Sequence, residues 1–95
     1  MEAKTILEKS AMLDTLTQSE FEDFKTSFKS KLTTQQKIVV MIRMVDRMKY
    51  GSEFDKLAHS VMNDNLNIKH EVMEKYNGSD HLREAEKQLK ETCTF

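Results

Sequence analysis

There is no proline in these 95 residues, and the only glycines are Gly51 and Gly78. Sheet proteins of this size rely on both residues to punctuate their turns, so the scarcity argues against a strand-rich fold and for an all-α one. Cysteine is nearly absent as well. The lone Cys93 cannot form an internal disulfide, and its place near the end of the chain argues against a core role. That usage is expected of a reducing, cytoplasmic compartment. No apolar run approaches the roughly 18 residues of a membrane-spanning helix, and Glu2 and Lys4 interrupt the stretch where a secretory leader would be apolar.

Signatures of catalysis are missing too. Neither glycine stands in a phosphate-cradling loop, and the serines form neither a G-x-S-x-G elbow nor an S-x-x-K set with its partner motifs. Cys93 has no histidine held beside it by sequence. The expectation is a non-enzymatic protein with no cofactor.

What is present suits one small helical domain over residues 1–95: 38% hydrophobic residues, 33% charged, and seven methionines. The most apolar window runs from Thr34 to Gly51. On a helical wheel its apolar side chains cover roughly two-thirds of the circumference, against a stripe little over 100° wide on an ordinary surface helix. It should therefore be covered from more than one side. Ile38, Ile42 and Val45 make a stiff β-branched sector, and Met41, Met44 and Met48 a flexible one beside it. Gln36, Arg43, Asp46, Arg47 and Tyr50 hold the polar side.

The rest of the chain reads as coverings. Residues 2–16 form a helix with Ala3, Ile6, Leu7, Leu13 and Leu16 on its apolar side and Met12 off it. Thr17-Gln18-Ser19-Glu20 has capping-box form and opens a helix over 18–31, with a narrow ridge of Phe21, Phe24 and Phe28 continued by Leu32. Thr33-Thr34 starts the central helix, which is expected to reach Tyr50 with Gly51 at its C′ position. Ser52 caps a fourth helix carrying Phe54, Leu57, Ala58 and Val61. Asn63 to Asn67 breaks it, because short polar side chains compete for backbone bonds. Ile68, Val72 and Tyr76 mark a fifth helix ended by Asn77-Gly78. Ser79 opens a sixth with Leu82, Ala85 and Leu89, and residues 92–95 are expected to fray. The fold class is thus all-α, a compact bundle of five to six short helices around a central apolar helix at about residues 34–50.

Three constellations suggest sites and fall short. Asn63, Asn65, Asn67 and Glu74 occupy the first, third, fifth and twelfth positions of an EF-hand-like calcium loop, but Ile68 replaces the glycine its turn requires. His70 with Glu74, and His81 with Glu84, have helical spacing but no third ligand, so no metal is expected. Met41–Tyr50, the Gly51-Ser52 turn and Glu53–Met62 have helix-turn-helix lengths, yet Glu53 and Asp55 would meet phosphate first.

The formal net charge of −1 hides an uneven distribution. Lys25, Lys29, Lys31, Lys37, Arg43, Arg47 and Lys49 stand against one acid, Asp46, between residues 25 and 49. These features lead to a small interaction module, a regulator, inhibitor or adaptor. It binds another protein or a second copy of itself (a homodimer) through the methionine and basic sides of the central helix: Lys37, Met41, Arg43, Met44, Arg47 and Met48. The alternative is a nucleic-acid-binding regulator that contacts phosphates through Lys25, Lys29, Lys31, Arg43 and Arg47. No membrane partner is expected.

Overall fold

In a computed structural model, which describes residues 1–76 and 79–95, six α-helices succeed one another. They are α1 (Ala3–Lys9), α2 (Gln18–Lys31), α3 (Thr34–Arg47), α4 (Glu53–Asn63), α5 (Leu66–Lys75) and α6 (Ser79–Thr92). A 3-10 turn, Leu13–Thr15, lies between the first two, and no strand occurs among the described residues. None of these helices is long and apolar enough to cross a membrane. The all-α bundle around a central apolar helix is what the periodicity predicts.

The central helix is more deeply enclosed than a two-sided cover requires. Val39, Val40, Met41 and Ile42 are consecutive and all 0% exposed. Four residues exceed one helical turn of about 3.6, so α3 is surrounded over its middle turn. It touches α1, α4, α5 and α6, the last most extensively. Met44 is also 0% exposed, whereas Ile38 and Val45 are only partly buried. The methionine sector is therefore core at Met41 and Met44, and only Met48 remains half-buried at the end of the helix. A helix apolar on all sides must be buried on all sides, and here the chain covers its own.

Local chemistry sets the helix starts. The Thr17 hydroxyl accepts the Glu20 N–H at 3.1 Å while the Glu20 carboxylate accepts the Thr17 N–H at 3.0 Å. Thr33 and Gln36 repeat the same reciprocal pair at the start of α3. Ser52 accepts the Asp55 N–H at 3.1 Å and starts α4. The aromatic ridge of α2 lands as spaced: Phe24 and Phe28 are fully buried, with ring centroids 6.3 Å apart. Lys25, between them on the outer side, reaches Ser60 at 3.0 Å and Asp64 at 3.5 Å and so ties α2 to α4.

Two helix boundaries differ from expectation. The first helix stops at Lys9 instead of running to residue 16. Ser10 is buried and its hydroxyl donates to the Leu7 carbonyl, and the Thr15 hydroxyl donates to the Met12 carbonyl at 2.7 Å. These local bonds replace helical ones. The break lets α1 lie on α2 and α3 while the 3-10 turn packs on α4. Similarly, α3 ends at Arg47 rather than Tyr50. Met48 turns to extended backbone and stays against the core, while Tyr50 lies in solvent. Gly51 serves a β-turn from Lys49 to Ser52, closed by a 3.0 Å bond, and takes φ +77° there. The expected break at Asn77-Gly78 lies outside the described residues.

The end of the chain docks where fraying is expected. Gln36 donates to the Thr94 carbonyl at 2.7 Å, and Cys93 and Phe95 pack partly buried against the core.

Because Met44 is sealed, Met44→Ala should cost roughly 2–5 kcal/mol, read as a fall in the urea midpoint. The Thr17 N–H holds the Glu20 carboxyl below the ordinary glutamate range. Its stabilisation is complete above the unfolded value of about 4.3 and is lost as pH falls through the lowered folded value. Glu20→Gln should therefore flatten that part of the acid-unfolding profile followed by circular dichroism.

Candidate functional site

The flank of α3 that carries Arg43, Asp46 and Arg47 faces α6, and the two helices run antiparallel. Their side chains meet in sequence along this line. Arg83 donates to Asp46 at 3.1 and 3.4 Å. Glu86 then lies between Arg43 and Arg47, at 3.9 and 3.7 Å. Lys90 and Arg43 line one cavity, and Gln35 and Gln36 reach Thr92 and Thr94 at the far end. Spacing explains the alignment: residues 43, 46 and 47 share one side of α3, and 83, 86 and 90 share one side of α6.

This ionic seam is only partly hydrogen-bonded. Arg47 donates to the Arg43 carbonyl at 3.1 Å and stands 3.7 Å from Asp46. Glu86 Oε1 and Arg43 Nε are sealed from solvent and have no hydrogen-bond partner among the described residues. The acids lie beneath and the cations above. Asp46 and Glu86 are 8% and 14% exposed, while Arg43, Arg47 and Arg83 are 22%, 34% and 82% exposed.

The cationic surface continues along α6. Arg83, Lys87 and Lys90 stand at i, i+4 and i+7, all exposed on one stripe, which Glu84 and Glu91 border at i−3 and i+4 from Lys87. This stripe was readable from its spacing but was hidden by the near-neutral charge balance of the last helix. Beside it, Lys4, Leu7, Glu8, Arg43, Lys90 and Phe95 line a cavity of about 300 Å³. Leu7 is buried and Phe95 half-buried, so apolar groups from α1 and the chain end meet three cations and one acid.

The residues expected to face a partner are thus divided by the fold. Met41 and Met44 are enclosed by the chain itself, and Met48 is half-buried. Arg43 and Arg47 sit in the seam with part of their guanidinium surface in solvent. Lys37 lies apart from them, beside the α4–α5 connection at Asn63 to Ile68. Of the expected phosphate contacts, Lys29 and Lys31 are exposed on α2, but Lys25 is engaged with Ser60 and Asp64.

The other constellations take ordinary structural places. α5 begins at Leu66, so Asn67 and Glu74 are helical and no twelve-residue calcium loop forms. No cluster of three or more His, Cys, Asp or Glu suited to a metal occurs among the described residues. Burial raises the Cys93 pKa, which keeps the thiol protonated and weakly nucleophilic. Compared with protein-family models, curated proteins and solved structures, the chain matches none.

Glu86 lies between two guanidinium groups, whereas Arg83 reaches Asp46 from solvent. Glu86→Gln should therefore lower stability by roughly 1–3 kcal/mol, and Arg83→Ala by less than about 1 kcal/mol. Chemical denaturation of the two variants side by side measures the difference.

Proposed function

We propose that the chain is a non-enzymatic interaction module that recognises an acidic surface on another protein through the α3–α6 face. One observation carries this reading: the carboxylates of the seam lie deeper than its cations, with Arg83 exposed and Arg43 and Arg47 partly so. Arg83, Lys87 and Lys90, with Lys4 beside them and the partly exposed Arg43 and Arg47, therefore offer a cluster of cations to solvent, bordered by Glu8, Glu84 and Glu91, that the near-zero net charge conceals. Such a surface steers and orients an acidic partner, and arginines are favoured anchors at protein interfaces. It keeps the basic side of the central helix as the contact and adds the outer stripe of α6 to it. Met41 and Met44 support it from below as packing.

A protein partner is favoured over nucleic acid by the apolar cavity within the face, which suits a side-chain anchor. The same charges predict salt-sensitive association in either case.

Lys87→Glu combined with Lys90→Glu changes only exposed side chains and should leave helicity intact. Binding to the partner recovered from the native host should weaken by about tenfold or more, and further with added salt. Lys56→Glu, on exposed α4 surface, should bind as the unaltered chain does. Undiminished binding by the double variant, or a gel shift of duplex DNA at the same protein concentration, would refute the reading.

A further inference from the structure

The cavity on this face combines features that narrow the partner's chemistry. It measures about 300 Å³, at the small end of ligand sites, which span roughly 300–1,000 Å³. That volume suits one bulky side chain better than a nucleotide or an extended cofactor. Its apolar lining comes from Leu7 and Phe95, two residues far apart in sequence that the fold brings together. Around them stand Lys4, Arg43 and Lys90, with Glu8 as the one acidic side chain of the lining. Lys4 and Lys90 are exposed and have no ion-pair partner among the described residues. Among the described residues Arg43 has one ion pair, to Glu86 at 3.9 Å, so its charge is only partly neutralised.

We infer that this cavity receives a single aliphatic or aromatic side chain of an acidic segment, flanked on the partner by carboxylates. The anchor packs on the half-buried Phe95 above the buried Leu7 and gains the hydrophobic term there, while the neighbouring carboxylates meet Lys4, Arg43 and Lys90. A purely acidic segment leaves the open side of Phe95 uncovered. A purely apolar one leaves the cations without partners. This assignment rests on the reading of the α3–α6 face as a protein-binding surface, and it specifies what that surface selects.

The test is a titration of the full ¹⁵N-labelled chain with three blocked peptides, followed by amide shifts. The first is acetyl-Glu-Glu-Leu-Glu-Glu-amide, the second has alanine for leucine, and the third has lysine for every glutamate. The leucine peptide is expected to shift the amides of Leu7, Lys90 and Phe95 and to bind about tenfold more tightly than the alanine peptide. The lysine peptide should shift none of them. Phe95→Ala should abolish the preference for leucine while preserving the charge-driven binding. Lys90→Glu, at an exposed position, should weaken both acidic peptides and serves if Phe95→Ala does not fold.

Equal affinity for the leucine and alanine peptides overturns the cavity assignment but leaves the basic face standing. Absence of shifts along α3 and α6 with every acidic peptide at millimolar concentration overturns the cavity assignment. The partner-binding experiment with the double variant then decides the face separately. Tighter binding of octanoate than of the leucine peptide at the same amides also overturns it, in favour of a free aliphatic acid.

Discussion

The middle turn of α3 has no face that tolerates water, because Val39, Val40, Met41 and Ile42 follow one another without a polar residue. A turn of helix can be hidden on all sides only by several partners, and this requirement shapes the rest of the molecule. No single short helix could supply the cover. α1, α4, α5 and α6 each touch α3, while α2 packs on α1 and contributes its aromatic ridge to the same core. Each covering helix needs only a narrow apolar stripe, which leaves the remainder of its surface free for charge. A chain with 33% charged residues can thus still build one continuous core.

The same requirement creates the ionic seam. Enclosing α3 also covers much of the polar flank that bears Arg43, Asp46 and Arg47, and these charges need compensation when they leave water. Glu86 and Arg83 of α6 supply it, but at 3.7 and 3.9 Å the Glu86 contacts exceed hydrogen-bond length. The seam is better suited to setting the direction and register of α6 on α3 than to adding stability. Its layered arrangement has a second consequence. Acids near the helix interface and cations nearer solvent give the seam a charge order in depth that no sum over the chain would reveal.

Sequence and structure agree best where the relevant interactions are local. The starts of α2, α3 and α4 were legible because Thr17, Thr33 and Ser52 satisfy N–H groups only three residues away. The ridge Phe21, Phe24, Phe28 and Leu32 was legible because helical spacing alone puts those residues on one side. Helix ends were less so. Ser10 halts α1 and Met48 leaves α3 early, and both depend on which neighbouring surface the following segment must reach.

The candidate site divides along the same line. From the residues alone came the basic character of Arg43 and Arg47 and the central place of their helix, since both follow from composition and period. Tertiary structure alone decided that Met41 and Met44 are core while Met48 stays at the margin. A helical wheel gives the angle of a side chain but not the number of helices gathered around it. Only the packing could bring Lys4 and Leu7 from one end of the chain beside Lys90 and Phe95 from the other. It also placed the carboxylates below and the cations above, because burial depends on distance from solvent in three dimensions and charge order along a chain does not encode it.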